Sequence, residues 1–571
     1  MHTVRDATFE VLRHTGMTTI FCNPGSTEIS LLTGLPDDLD FVLALHEGSV
    51  IGMATGWAIG HDAPALAVLH TTAGLGNAVG AIATARANRV PMVILVGQQD
   101  RRHLAQEPFL AGRLSGLAGD YPVHTDHPVR AQDVPGAVAR AFHQATTFAG
   151  PALVVVPMDD WAAPYEGETV TAPARLLRPV SVPDADLAPL VELLAGARAP
   201  AIVTGAGACD GWDSLVALAE RLGCPVWQES FGARAGFPQD HPLYVGVLPA
   251  DRPRLRAALA EHDVVLAVGA PVFRQYGYEP GPLVEPGTTI ALVTDDPAEA
   301  HRSPAELAYL ARPDQVCARL AQLVPPREPG PGTHIPSREP APLTSPQEPG
   351  PAVLRAEPVT DGPLRPVRVL RELAARLPED VVLVEETPSS RPDLHRLLPA
   401  RNPLGFVSAA MGGLGFALPA AVGLRMALPD RPVVAVVGDG AALCGVQALW
   451  SAAHYRVGTL FVVLANGRYA VMDRLAEQHG GKAPWPAFDE VSMAGMARAL
   501  GCEAIRINDH GELTAALDDV LPTLAARREP LLLDVSVSVD PDFQRDLAWN
   551  LGVDAREETA AREGRQARAV L

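Results

Sequence analysis

Two short segments in the last third of the chain pair glycine with a hard oxygen ligand. Gly438-Asp439-Gly440 closes the apolar run Val433–Val437, and Ala465-Asn466-Gly467 closes Leu460–Leu464, with Asn466 27 residues after Asp439. If both runs are parallel strands, their carboxyl ends lie together, where open α/β sheets bind ligands. Glycines let backbone N–H groups approach a phosphate, and a following helix adds a favourable dipole. Asp439 and the Asn466 amide oxygen suit Mg²⁺, whose octahedron diphosphate oxygens and water would complete. Gly-Asp-Gly alone is a common turn; the second segment at this spacing makes a metal–diphosphate site the stronger reading.

Two further places could do chemistry. Ala409–Gly423 reads AAMGGLGFALPAAVG, in which glycines flank the bulky Leu414. That pattern fits a ligand loop, and equally a helix N-terminus that buries a leucine. In the first third, the run Phe41–Leu45 leads into His46-Glu47 and an Ala/Gly-rich helix. A carboxylate in such apolar surroundings is costly without a partner. Glu47 is therefore a catalytic candidate, with a helix-capping surface glutamate as the plain alternative.

The elements that must position these residues are short apolar runs alternating with Ala/Leu-rich helical stretches. Thr18–Cys22, Phe41–Leu45, Ala65–Leu69, Met92–Val96 and Leu153–Val156 read as buried parallel strands of β-α-β units. So do Ala201–Val203, Val264–Val268, Thr289–Val293, Val381–Val384, Val433–Val437, Leu460–Leu464 and Leu531–Val535. The fold class is α/β. Val324 to Pro366 holds 13 of the 54 prolines, a density that no helix or central strand survives. Pro and acidic residues near Asp159–Asp184 mark a weaker break. The expected organisation is an α/β unit at 1–175, a second at 185–324, a Pro-rich linker at 325–366, a third unit at 367–540 and a tail at 541–571.

Composition removes several classes of function. The 571 residues carry a formal charge of −20, which argues against nucleic acid or an acidic membrane as partner. Lys482 is the only lysine among 46 basic residues, and it stands in Gly481-Lys482-Ala483. A Walker A loop needs Ser or Thr after that lysine, and a Schiff-base enzyme would have to use this one residue. Six cysteines without a C-x-x-C pair suit a reduced cytoplasm. No secretory h-region and no membrane-length apolar run is expected.

The strings Asn23-Pro24-Gly25-Ser26 with Glu28, LHTTAGLGNAVGA around His70, GPALVVVPMDDW, HDVVLAVGAPVFR and GGLGFALPAAVG accompany Gly-Asp-Gly and the later Asn-Gly. On these the chain resembles the thiamin-diphosphate-dependent decarboxylase and acetolactate synthase superfamily, most closely its benzoylformate decarboxylase branch. The resemblance implies three doubly wound parallel-sheet domains, of the pyrimidine, central and pyrophosphate types. It implies thiamin diphosphate and Mg²⁺, the metal held by Asp439, Asn466 and the Arg468 backbone carbonyl.

Carried over position by position, Glu47 activates the cofactor, and Asn23, Pro24 and Gly25 lie beside it. Ser26 binds the substrate carboxylate or nascent carbonyl, His70 transfers a proton, and Asn77 helps line that cleft. Ser389, Gly438, Gly440, Ala441, Tyr469 and Ala470 contact the diphosphate end. The Gly412 carbonyl accepts a hydrogen bond from the cofactor's amino group, and Leu414 enforces its bent shape. Phe109, Leu110, Ser408, Val471, Met472 and Leu475 are the expected pocket walls. Active sites between chains are implied, hence a homodimer or homotetramer.

The departures bear on the reaction. Tyr276 stands where the branch has a second active-site histidine, and tyrosine is far less acidic than imidazolium near neutral pH. Ala465 replaces the first of two adjacent asparagines, Pro388 replaces a hydroxyl residue, and His46 replaces a glutamine. The leading expectation is non-oxidative decarboxylation of a 2-oxo acid to an aldehyde. Slower protonation at Tyr276 would favour the alternative, a carboligase joining the acyl unit to an aldehyde acceptor as a 2-hydroxyketone. A non-catalytic homologue is the third reading, against which Glu47, Asp439 and Asn466 stand intact. Gly205–Gly207 is too weak a signal to assign FAD or ADP to the central unit.

Overall fold

The computed structural model describes residues 2–167, 182–327 and 364–539, which build three six-stranded sheets in which every pairing is parallel. The first sheet comprises β1 (Thr19–Cys22), β2 (Asp40–Leu43), β3 (Ala65–His70), β4 (Met92–Gln98), β5 (His124–Asp126) and β6 (Pro151–Pro157). Its spatial order is β2-β1-β3-β4-β6-β5. The central sheet comprises β7 (Pro200–Thr204), β8 (Val226–Gln228), β9 (Tyr244–Val247), β10 (Val264–Val268), β11 (Thr289–Thr294) and β12 (Leu307–Leu310). Those strands lie in the order β12-β11-β10-β7-β8-β9.

The third sheet comprises β13 (Val382–Glu386), β14 (Val407–Ser408), β15 (Val433–Gly438), β16 (Leu460–Ala465), β17 (Glu503–Ile507) and β18 (Leu531–Ser536). Its order, β14-β13-β15-β16-β18-β17, repeats that of the first sheet strand for strand. The middle strands are β-branched and buried on both faces, as strands flanked by helices on either side must be.

The expected linker and tail fall largely on 328–363 and from 541 onward, outside the described residues. The described ends of that linker are corrected by the structure. Arg327 N–H donates to the Arg221 carbonyl, and Leu364 exchanges backbone hydrogen bonds with Ser536 and Ser538, so both ends belong to folded units. Pro366 opens the helix Pro366–Ala374, because at the first helical position its missing N–H has no partner to lose. Among the described residues no helix is long and apolar enough to cross a membrane, and all six cysteines are free thiols.

One core cluster joins the first and third units. Its centre is the contact between the helices Glu47–His61 and Ala417–Ala427, which touch backbone to backbone. A Cβ on Gly56 would lie 2.0 Å from the Ala420 carbonyl oxygen, and one on Gly423 would lie 1.9 Å from that of Met53. Only glycine permits this approach. Each helix starts at a strand-end loop, so the seam fixes both loops at once.

Candidate active site

In the third unit a cleft of about 250 Å³ opens at the carboxyl ends of β13, β15 and β16. Asp439, 6% exposed, begins the turn after β15. Its two carboxylate oxygens accept the N–H groups of Gly440 at 2.8 Å and Gly467 at 2.6 Å. One side chain thus ties the loops after β15 and β16 together. Burial raises the Asp439 carboxyl above the usual range, against the pull of those N–H donors. Asn466 Oδ1 accepts from the Arg468 N–H at 3.1 Å. The Arg468 guanidinium is engaged with Asp473 at 2.7 Å, and Arg468 itself lines the cleft.

Among the described residues, no group of three or more His, Cys, Asp or Glu is arranged to hold a metal ion. One carboxylate, one amide oxygen and a backbone carbonyl nevertheless form a hard, weakly charged donor set. Such a set fits Mg²⁺ that shares its ligands with an anion, and not a metal held by protein alone.

The rest of the cleft follows from close packing. A Cβ on Gly440 would strike the Tyr469 ring at 2.6 Å, so the Gly-Asp-Gly turn and Tyr469 are fitted to each other. Ser389, Gly412, Leu414, Gly438, Ala441, Ala470, Val471 and Met472 also line the cleft. Pro388 and Thr387 stand beside Ser389. Gly412 has φ +69° and Gly415 φ +93°, the left-handed region that favours glycine. Leu414 between them is 45% exposed and faces the cleft opening. Glu386, the last residue of β13, accepts the N–H groups of Gly415 at 2.6 Å and Ala417 at 2.7 Å. Burial pushes its carboxyl up to about 8. Sequence reasoning assigned Glu386 nothing, although a carboxylate ending an apolar strand was its signal.

The first unit assembles a second group, again at strand ends. Glu47 is the first residue of its helix and 7% exposed. Asn23, after β1, donates to its Oε1 at 3.1 Å, and Asn77 donates to its Oε2 at 3.1 Å. The carboxylate is buried but paired, which answers the cost noted from sequence. His46 caps the helix, its Nδ1 accepting from the Gly48 N–H.

His70 ends β3. Its Nδ1 lies 2.9 Å from Thr27 Oγ1 and 3.2 Å from Glu28 Oε2, while Glu28 also accepts from the Gly25 N–H. Thr27 donates to the other Glu28 oxygen. Gly25 is required here because a Cβ would run into the His70 ring at 2.3 Å. Pro24 and Ser26 are exposed on the same turn. Thr27 and Glu28 carry no role in the sequence reading; the signal was an acid three residues after Gly25, able to reach back to its amide.

Several expected pocket residues stand elsewhere in the chain. Ser408 is 1% exposed and lines no cleft: its hydroxyl donates to Glu385 at 2.8 Å and accepts from Arg391 at 3.0 Å. A small polar side chain at that strand end is drawn to the buried Glu385 carboxylate. Leu475 lies a turn beyond Met472 and does not reach the cleft. Phe109 and Leu110 sit on an exposed loop, 87% and 37% accessible. Tyr276 is 61% exposed and joins neither the cleft nor the Glu47 group. Within one chain the cleft is lined by the third unit alone.

Family profiles match all three units. Residues 2–113 match the thiamine pyrophosphate enzyme N-terminal binding domain, 187–320 the central domain and 389–535 the C-terminal binding domain. The chain belongs to the thiamine pyrophosphate enzyme family. Thiamine pyrophosphate, that is thiamin diphosphate, is the cofactor of this family, with Mg²⁺ as its metal.

Within the thiamine pyrophosphate enzymes, the chain is 37% identical to a benzoylformate decarboxylase of Pseudomonas aeruginosa, covering 94% of this chain and 99% of that one. It is 28% identical to an acetolactate synthase large subunit of Parasynechococcus marenigrum, over 91% and 86%. A solved 4-hydroxybenzoylformate decarboxylase from Rhodococcus jostii RHA1 superposes with a TM-score of 0.86 at 35% identity, covering 94% and 99%. A benzoylformate decarboxylase from Polynucleobacter necessarius gives 0.85 at 31%, covering 95% and 99%.

Proposed function

We propose that this protein decarboxylates a 2-oxo acid of the arylglyoxylate, benzoylformate-like type, consuming one proton and releasing CO₂ and an aldehyde. The observation that carries the reading is the Glu47 carboxylate, buried at a strand end yet held by the side-chain amides of Asn23 and Asn77. The near-full-length likeness to benzoylformate decarboxylases supports the substrate class. When bound, thiamin diphosphate supplies a nucleophilic carbon and takes up the electron pair released as CO₂ departs.

The chain's own residues divide the remaining work. Asp439, the Asn466 amide oxygen and the Arg468 carbonyl would hold Mg²⁺, and the Ser389 hydroxyl and the glycine-rich turn would receive the diphosphate. The Gly412 carbonyl would accept a hydrogen bond from the cofactor, and Leu414 would support its shape from the cleft wall. Glu47 would hold a proton at its carboxylate for the bound cofactor, its oxygens oriented by Asn23 and Asn77. Ser26 hydrogen-bonds the substrate carboxylate. His70 delivers the proton that completes the aldehyde, with Thr27 and Glu28 fixing its tautomer. Apolar walls at Val471 and Met472 exclude water and favour loss of the carboxylate charge.

Glu47 belongs to the first unit and the cleft to the third, so we read the complete site as lying between two chains, in a homodimer or homotetramer. Exposed apolar residues at Phe109, Met411 and Leu414 support that reading. The free cysteines support a cytoplasmic location. Turnover is tested with thiamin diphosphate, Mg²⁺ and a panel of aromatic and aliphatic 2-oxo acids, measuring CO₂ and aldehyde. Absence of turnover that depends on Glu47 would sink the proposal. Subunit sharing is tested by refolding Glu47→Gln and Asp439→Ala chains together. Sites between chains give mixed dimers one intact site, whereas sites within chains give none.

The carboligase reading is favoured by the sequence departure at Tyr276, which within one chain stands outside both site groups and would act only in a site completed by another chain. With excess aldehyde acceptor, a dominant 2-hydroxyketone product that Tyr276→His converts to free aldehyde would establish it.

A further inference from the structure

The segment Met411–Leu414, which brings Gly412 and Leu414 to the cleft, has two glycines of its own and a third directly after it, and its tip is half exposed. Such a segment holds no fixed shape unless its ends are fixed. The far end is held from within the third unit, by Glu386 on the N–H groups of Gly415 and Ala417. The near end is held from the other two units.

Asn88, 1% exposed, follows the helix Thr71–Ala87 of the first unit. Its Nδ2 donates to the Ser408 carbonyl at 2.9 Å, and its Oδ1 accepts the Ala410 N–H at 2.8 Å. Both amide atoms are spent on the backbone on either side of Ala409, and only one orientation of the amide satisfies both bonds. From the central unit, Arg274 donates to the Ala410 carbonyl at 3.2 Å while its guanidinium lies against the buried Glu229. The Ala233 carbonyl accepts the Ser408 N–H at 2.8 Å. Both polar groups of the Ala410 backbone are therefore held by side chains 322 and 136 residues away.

We propose that Asn88 and Arg274 are positioning residues that clamp Ala410 and thereby set the height of the Gly412 carbonyl and Leu414 above the cofactor. The inference rests on the cofactor-binding reading of the cleft. Neither residue lines the cleft itself. Arg274 works as a donor braced by Glu229, and Asn88 as a donor–acceptor pair that imitates a neighbouring strand.

The test uses full-length Asn88→Ala, Arg274→Met and Arg274→Lys. For each, thiamin diphosphate affinity is measured by calorimetry with Mg²⁺, and kcat and KM are measured for the 2-oxo acid the parent turns over. Melting temperature is measured alongside. Asn88→Ala and Arg274→Met are expected to weaken cofactor affinity about tenfold and lower kcat by a similar factor, with KM changed less than about threefold. Arg274→Lys, which keeps a cationic donor, is expected to recover most of both. Cofactor affinity and kcat within twofold of the parent in both variants would overturn the proposal. So would equal losses in Arg274→Met and Arg274→Lys, or losses that vanish when assayed well below a lowered melting temperature. A parent that binds no thiamin diphosphate overturns the clamp and the functional reading together; a parent that binds it normally isolates the clamp.

Discussion

Glu28 Oε2 and His70 Nδ1 lie 3.2 Å apart, with Glu28 only 2% exposed and its other oxygen taking the Thr27 hydroxyl proton. A carboxylate in that place requires the imidazole proton on Nδ1 and leaves Nε2 to exchange. Replacing Glu28 by Gln keeps the shape and removes the charge. By analogy with other residues that orient a functional histidine, kcat is expected to fall about 10- to 100-fold with little change in KM. Steady-state kinetics check this, and an unchanged kcat would detach Glu28 from the reaction.

Chelation is expected to release the cofactor, because the diphosphate would be anchored to Asp439, Asn466 and the Arg468 carbonyl through the metal. Asp439→Asn removes the carboxylate and weakens its grip on the Gly440 and Gly467 amides. A loss of thiamin diphosphate affinity of about tenfold or more is expected, since a charged metal ligand and charge-assisted hydrogen bonds both go. Calorimetry with and without added Mg²⁺ separates the two contributions.

Gly56→Ala and Gly423→Ala should reverse the usual sign of a helical Gly-to-Ala change. In an open helix alanine stabilises by about 1 kcal/mol. Here the added methyl meets carbonyl oxygens at 2.0 and 1.9 Å, and overpacking of this kind costs about 1–3 kcal/mol. Urea denaturation should place both variants below the parent, and Gly16→Ala, where no atom lies within 4 Å but φ is +73°, reports backbone strain without a clash.

Glu386 gives the molecule a pH signature. Its carboxyl is raised from 4.5 to about 8, so the folded chain keeps a proton that the unfolded chain loses. The contribution of this group is fully present below about pH 4.5 and is lost as pH rises through about 8. Glu386→Gln, which cannot ionise, should flatten that component of the melting temperature between pH 5 and about 8. Parallel curves for parent and variant would show that the two backbone amides keep Glu386 ionised throughout.

Most strands legible in the sequence are buried on both faces, and the half-buried edge strand β2 was legible as well. Val433–Gly438 and Leu460–Ala465 are continuous apolar runs, and Asp439 and Asn466 directly follow them. Three other edge strands escaped for a physical reason. Leu307–Leu310 alternates between half-buried and exposed, Glu503–Ile507 has three exposed residues, and Val407–Ser408 is two residues long. The site divides in the same way. Residues announced by a local motif are those at strand ends: Gly412 lines the cleft and Glu47 begins its helix. Asn88 and Arg274 carry no motif, because they act on backbone far along the chain. Ser408 was expected as a pocket wall, whereas its side chain turns to Glu385 and Arg391, long-range partners that no local motif announces.

The first and third sheets share one wiring diagram, and the same four connections lead to functional loops in each. The loop after the first strand holds Asn23 in one and Ser389 in the other. The second leads to Glu47 or to Gly412, the third to His70 or Asp439, and the fourth to Gln98 or Asn466. On the proposed reading, one copy carries proton-handling side chains in those loops and the other metal ligands and bare backbone. Such a division makes the chain evolvable in halves. Proton transfer can be retuned by rewriting loops of the first copy, while the copy that would grip the cofactor stays as it is.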